Sequence, residues 1–223
     1  MRSWTSRIAV LVAAVSVTAL IGPITNASAV TTPIIDTSYG AQGAATISVP
    51  KQLSASVIMD TVIDGSGNTI ALVNIFPKAA IARYALGGVR DATFGGGNGS
   101  TTPVTIASAS ITMQADGKII LAGIDYTTSP AQLVVFRYLA TGKIDASFAI
   151  KGRYSLAGLP KRDFTSSKVS VAIDNVSKRI FLGTTIGNGI GSNNNFYFVA
   201  LTTSGQIDYS WNNGGTQEII QAT

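Results

Sequence analysis

Asp145-Ala146-Ser147-Phe148 decides how this chain is read, because the same pattern stands at Asp36-Thr37-Ser38-Tyr39, Asp91-Ala92-Thr93-Phe94 and Asp208-Tyr209-Ser210-Trp211. In each copy an aspartate is followed two positions later by a hydroxyl and then by an aromatic ring. The copies start 55, 54 and 63 residues apart. A period of this size marks a repeat architecture, in which each unit buries its apolar face against its neighbour. The repeats are taken as units 36–90, 91–144 and 145–207, with a partial unit 208–223.

The motif has a physical role in a turn. A carboxylate can accept hydrogen bonds from backbone N–H groups two or three residues on, and a nearby hydroxyl can do the same. The aromatic ring that follows supplies a large apolar plug. Seven residues after three of the aspartates stands a glycine, at Gly43, Gly152 and Gly215, and in the second copy it slips by one to Gly99. A glycine at a fixed offset implies a left-handed or crowded backbone position. Four repeated aspartates could instead be active-site acids or metal ligands. A group present in every unit is better explained as part of the unit's construction, so Asp36, Tyr39, Asp91, Phe94, Asp145, Phe148, Asp208 and Trp211 are assigned structural roles.

Short apolar or alternating runs bounded by Gly, Pro, Asn and Asp fill the space between motifs, and no stretch after residue 29 shows a sustained helical pattern. Counted from each aspartate, every unit offers four strands. The first are 45–49, 103–107 and 153–156; the second are 57–63, 111–115 and 169–173. The third are 69–75, 118–124 and 179–184; the fourth are 79–84, 132–138 and 196–201. Turns beginning at Asp64, Asp116 and Asp174 join second to third strands, as expected of hairpins. Asp64 to Asn68 also suggests a calcium loop, but Ile75 stands where the helix-loop-helix calcium site requires a bidentate glutamate. In the second strands, Met59, Thr61 and Ile63, then Ile111, Met113 and Ala115, then Val169, Val171 and Ile173 fall on one face, expected to be buried against a neighbouring sheet. Asp60, Thr112 and Ser170 recur on the opposite side, facing solvent or a shared channel, and Asp60, the only charged member, is read either as a solvated side chain or as a functional candidate.

The expected fold is all-β: a β-propeller-like array of about three four-stranded antiparallel blades plus a terminal partial unit. Three blades alone leave sheet faces and edges bare. Two chains are therefore expected to pair as a homodimer that completes a six-bladed ring; an open three-blade arc and a truncated chain are the alternatives.

Residues 1–29 have the layout of a secretory signal: Arg2 and Arg7, an apolar run from Ile8 to Ile21, Pro23, and then Ala27-Ser28-Ala29. The apolar run, about 14 residues, is shorter than the roughly 20 needed to span a bilayer. Cleavage after Ala29 is expected, giving a secreted or periplasmic protein of residues 30–223 without stable membrane insertion. Loss of the two arginines lowers the formal charge from +5 to +3. With charged residues at 12% there is no basic stripe for nucleic acid.

The chain contains no histidine and no cysteine. That removes the Ser-His-Asp triad, the cysteine nucleophile, the imidazole base and the usual zinc sites. Ser167-Lys168 is a poor dyad, since strand neighbours point to opposite faces. Gly95 to Gly99 and Gly187 to Gly191 lack the following helix and Lys-Ser or Lys-Thr of a phosphate loop, and are expected to connect blades.

One longer stretch carries a resemblance. Met113-Gln114-Ala115-Asp116-Gly117-Lys118-Ile119-Ile120-Leu121-Ala122-Gly123, then Val135-Phe136-Arg137-Tyr138, then Thr141-Gly142-Lys143-Ile144-Asp145-Ala146-Ser147-Phe148 closely resembles the delta-60 repeat family of bacterial exported proteins. The likeness is strongest in the central unit. The third unit departs from it where Ala200 replaces the arginine seen at Arg83 and Arg137, and where Asn193-Asn194-Asn195 lengthens a loop. The resemblance implies β-propeller-like blades and no established reaction. Two functions are then weighed. One is an exported, non-catalytic binding or scaffold protein whose loops, such as 187–195, contact a glycan or protein and which needs no cofactor. The other is a propeller-type hydrolase or lyase using aspartates and a calcium ion, with Asp60, Asp125 and Asp163 as the carboxylates outside the repeat.

Overall fold

A computed structural model describes residues 37, 41–44, 57–75, 77–156, 168–186 and 195–219. These lie within the compact unit Ile35–Thr223. The chain is all-β, with twelve strands among the described residues. They are β1 (Val57–Ile63), β2 (Thr69–Ile75), β3 (Lys78–Tyr84), β4 (Val104–Thr105), β5 (Ala107–Met113), β6 (Ile119–Asp125), β7 (Gln132–Tyr138), β8 (Arg153–Leu156), β9 (Ser170–Ile173), β10 (Ile180–Ile186), β11 (Asn195–Leu201) and β12 (Thr216–Ile219). They form three four-stranded antiparallel sheets, ordered β1-β2-β3-β4, β5-β6-β7-β8 and β9-β10-β11-β12. No described helix is long and apolar enough to cross a membrane.

Sheet and sequence repeat are out of phase by one strand. Among the described residues, the strand that follows an aspartate motif does not join the strands after it. It turns back and pairs with the strand before it: Val104 with Ala79, Tyr154 with Val135, Thr216 with Val199. The motif is a reversal, and antiparallel strands next to each other in sequence pair most readily across a reversal. This corrects the grouping of four strands counted from each aspartate. It also changes the meaning of the last motif: the strand after Asp208 completes the third sheet rather than opening another. The equivalent strand 45–49 lies outside the described residues.

The hairpin turns follow from their aspartates. Asp64 Oδ1 accepts the N–H groups of Ser66 and Asn68, each at 2.9 Å. Asp116 accepts from Lys118 N, and Asp174 from Val176 N and Ser177 N. The repeated glycines after the corners have positive φ: 84° at Gly43, 69° at Gly99, 90° at Gly152 and 72° at Gly215. They are crowded as well. A methyl group on Gly152 would lie 2.4 Å from Ile144, and one on Gly215 would lie 2.2 Å from Ile207.

Two cores lie between the sheets. Ile70, Leu72 and Ile81 of the first sheet meet Ile111, Leu121 and Val134 of the second. Ile120, Ile124 and Leu133 of the second meet Val169, Leu182 and Val199 of the third. The middle sheet is covered on both faces, so all seven residues of β6 are buried, and the strand carries no polar side chain until Asp125 at its end. Alternating second-strand positions pack as expected in β5 and β9, where Ile111, Met113, Val169, Val171 and Ile173 join these cores, while Ala115 lies past the end of β5 and is exposed. In β1 the expectation fails: Met59, Thr61 and Ile63 are exposed. The odd face of each first strand looks toward the preceding sheet, and among the described residues no sheet precedes β1.

Candidate functional site

The repeated feature with the densest polar chemistry is the corner built on each aspartate. In the second corner Asp145 accepts from Ser147 N at 3.1 Å and Ser147 Oγ at 2.6 Å through one oxygen, and from Arg137 Nε at 2.8 Å through the other. Asp91 makes the same set with Thr93 and Arg83. In both, the arginine stands eight residues before the aspartate on the last strand before the turn, and its guanidinium lies over the corner's ring, Arg83 over Phe94 at 4.8 Å and Arg137 over Phe148 at 4.6 Å.

The third corner lacks that arginine because Ala200 occupies the position. Arg179, at the foot of the neighbouring strand β10, reaches across instead, donating to Asp208 Oδ2 at 2.5 Å and Ser210 Oγ at 2.9 Å. The departure of the third unit from the pattern is thus compensated from the adjacent strand. The ring also changes partner, with Trp211 edge-on to Phe181 at 5.4 Å.

Each internal corner reaches into the next sheet. Arg83 Nη1 donates to the carbonyl of Ala140 and Arg137 Nη1 to that of Thr203. Gly95 N donates to Thr141 O, and Ala149 N to Ser204 O. Phe94 is seated against Gly142 and Phe148 against Gly205: a methyl group on either glycine would come within 2.7 Å and 2.6 Å of the ring. The aspartate motif therefore closes one sheet with its turn and fastens that sheet to the next with its ring and arginine. Phe94 and Phe148 are both fully buried.

The electrostatics follow from the contacts. Hydrogen bonds from Thr93 and from Arg83 take the Asp91 carboxyl from 3.8 down to about 2, against the opposing effect of burial. Burial pushes Asp145 upward, but Ser147 and Arg137 outweigh it and hold the carboxyl below its ordinary value. Arg179 and Ser210 hold Asp208 down as well. A carboxyl depressed in the folded state stabilises the fold above its unfolded pKa and loses that contribution as pH falls through the folded value. The denaturant midpoint should accordingly stay level from neutral pH to about pH 4.5 and fall between about pH 4 and 2. Asp91→Asn should start lower at neutral pH and fall less. A midpoint that drops between pH 7 and 5 would contradict these assignments.

The remaining candidates are placed as follows. Asp60 is half-buried, and its carboxylate accepts from Thr61 N at 2.9 Å and, across the sheet boundary, from Ile111 N at 3.0 Å. It ties β1 to the free edge of β5. Asp125 accepts from Thr127 and pairs with Arg153 at 3.1 Å. Asp36, Tyr39, Asp163, Ser167 and the loop 187–194 lie outside the described residues. Among the described residues no group of three or more carboxylates converges on a point where a metal could sit. The partnership of Arg137 with Asp145 was not part of the sequence reading, although the shared offset of eight residues at Arg83 and Arg137 signals it.

Among the described residues, three clefts open along the sheet boundaries. Two repeat, beneath Arg83 at about 360 Å³ and beneath Arg137 at about 500 Å³. The third, about 770 Å³, has Phe136 and Tyr138 in its wall with Lys143, Lys151 and Arg153 around them. Among the described residues no carboxylate lines it.

Residues 114–148 match the family described as a domain of unknown function (DUF5122) beta-propeller. The matched stretch runs from the hairpin turn at Asp116 through β6 and β7 to the corner at Phe148. No curated protein matches the chain. Together with the three stacked sheets, the match defines a propeller-like repeat protein.

Proposed function

We propose that this is an exported binding or scaffold protein of the delta-60 repeat type, without catalysis of its own, that holds an anionic glycan in the cleft beside Phe136. The observation that carries the non-catalytic reading is the commitment of every described carboxylate. Asp64, Asp116 and Asp174 build hairpin turns, and Asp91, Asp145 and Asp208 build corners. Asp60 and Asp125 bind backbone or arginine, and Glu218 accepts from Asn195. A general acid or base must exchange protons with substrate, and each of these groups already accepts hydrogen bonds from the chain. The ligand class follows from the cleft, where the half-buried Phe136 offers an aromatic surface to the apolar side of a sugar and Lys143 and Lys151 stand beside it, while Arg153 is already paired with Asp125.

Residues 30–223, purified and probed on an array of neutral and acidic glycans with chelator present, should retain acidic glycans. Lys143→Ala with Lys151→Ala should lose that retention, and metal analysis should return no stoichiometric calcium. One calcium per chain that disappears in Asp60→Ala would overturn the reading in favour of a calcium-assisted hydrolase or lyase. A chain that captures only a protein, or no glycan, would overturn the ligand assignment.

A further inference from the structure

Two of the corners carry an asparagine followed by a glycine where the chain returns to its sheet: Asn98-Gly99 after Phe94, and Asn213-Gly214 after Trp211. A third such pair, Asn188-Gly189, lies outside the described residues. In an Asn-Gly pair the glycine nitrogen can attack the side-chain carbonyl carbon of the asparagine, because glycine has no side chain to block the approach and leaves the backbone free to rotate. The attack requires that the peptide unit joining the two residues be free to turn. The two described pairs differ in that respect.

At Asn98 the joining peptide unit is held at both ends. Gly99 N donates to Phe94 O at 2.9 Å, and Asn98 O accepts from Arg90 Nη2 at 2.6 Å. Gly99 is buried with φ 69°, and a methyl group there would lie 2.6 Å from Arg90 and 3.1 Å from Asp91 O. The backbone cannot turn there without displacing the arginine.

At Asn213 the same unit is loose. Gly214 N donates to Trp211 O at 3.3 Å, and that carbonyl has a closer donor in Gly215 N at 2.7 Å. A methyl group on Gly214 would meet no atom within 4 Å. Asn212 and Asn213 both have left-handed backbones, φ 48° and 52°, a conformation that costs energy for a residue with a side chain and is relieved when the turn opens. Asn212 commits its side-chain amide to Thr216 O at 3.2 Å, whereas the Asn213 side chain has no partner among the described residues.

The exposure of this pair does not depend on what lies beyond the third sheet. In the corner at Phe148, on which the third sheet is seated, the equivalent positions are Ile150 and Lys151, and both are exposed. Asn213 is exposed as well.

We infer that Asn213 is a site of spontaneous deamidation, and that the fold protects Asn98 although it has the same neighbour. Gly214 N gives its proton to base and bonds to Asn213 Cγ, closing a succinimide as the Cγ–Nδ2 bond breaks and ammonia leaves with a proton. Water then opens the ring. Attack at Cγ leaves aspartate, and attack at the main-chain carbonyl leaves isoaspartate, in which the chain runs through the former side chain and is lengthened by a methylene. The turn so lengthened is the one that returns the chain to pair Thr216 with Val199, with Ala200 N donating to Gly215 O at 2.8 Å. An added methylene cannot keep Gly215 N on Trp211 O and Gly215 O on Ala200 N together, so β12 loosens from β11.

The test holds the purified chain in mildly alkaline buffer and follows the chymotryptic fragments that begin after Phe94 and after Trp211 by tandem mass spectrometry. Asn213 should convert to aspartate and isoaspartate, with Asn98 at least about tenfold slower, because its bonds to Phe94 and Arg90 must break first. In urea, where both corners are open, the two rates should come together. Gly214→Ala fits the open space and should slow conversion at Asn213 at least about tenfold, while Arg90→Ala should speed Asn98 in the folded chain. Hydrogen exchange at Ala200 N should quicken in aged wild type and stay unchanged in aged Gly214→Ala. Equal rates at the two sites in the folded chain, or a faster Asn98, overturn the inference, as does an Asn213 that stays intact while the urea-unfolded chain reacts. Conversion at Asn213 that leaves exchange at Ala200 unchanged overturns the loosening of β12.

Discussion

Arg137→Ala is expected to lower the free energy of unfolding by about 3–5 kcal/mol, the cost of leaving a buried charge without its partner. The Arg137 and Asp145 side chains are 8% and 7% exposed, so water cannot replace the lost guanidinium. The substitution removes three things at once: the bond to Asp145, the bond across the sheet boundary to Thr203 O, and the cation lying over Phe148. Lysine should not rescue it, because a single ammonium cannot hold Asp145 and Thr203 O together as a planar fork does. Arg83→Ala should cost less, since the Arg83 and Asp91 side chains are 18% and 22% exposed and water can reach the remaining charge. Urea unfolding of the two variants in parallel checks both statements. A loss of about 1 kcal/mol or less at Arg137, the range of surface pairs, would contradict the buried clamp.

The repeat was legible in the sequence because its parts are local. An aspartate, a hydroxyl two residues on and a glycine seven residues on all act within one turn, so their spacing survives in the chain and marks the corner. The hairpin aspartates are legible for the same reason. What the spacing does not carry is pairing. Whether Arg153–Leu156 belongs with the strands before or after it is decided by hydrogen bonds between Tyr154 and Val135, far apart in sequence. Burial in β1 failed for a related reason: Met59, Thr61 and Ile63 have the alternation of a buried strand, but exposure depends on a neighbouring sheet that β1 lacks among the described residues. Asp60 was singled out as the one charge at a small polar position. Its target, the N–H of Ile111, lies 51 residues away in a different sheet, and no local pattern points to it. Arg179 standing in for the missing arginine at Ala200 is likewise a cross-strand event.

Phe148→Ala should cost about 3–5 kcal/mol, the usual range for removing a buried aromatic ring. Phe148 is fully buried in the core between the second and third sheets and rests against the turn at Gly205. Its removal leaves a cavity at the seam, so hydrogen exchange should quicken at the amides of Ala149 and Arg137, whose bonds bracket the corner. Amides in the middle of β6, held by strands on both sides, should change least.

The two internal aspartate corners fasten each sheet to the next by seating a ring on a glycine of the neighbouring turn. A double-mutant cycle between Phe148 and Gly205 tests this central claim most directly. Gly205 has φ 82°, and a methyl group there would lie 2.6 Å from the Phe148 ring. With Phe148 in place, Gly205→Ala should carry both a left-handed backbone cost of about 1–2 kcal/mol and the displacement of the ring, about 1–3 kcal/mol more. In a Phe148→Leu background, which keeps the core filled while removing the ring edge, the second cost should largely vanish. The account predicts a coupling of about 1–2 kcal/mol between the two sites. Equal costs for Gly205→Ala in both backgrounds would contradict it.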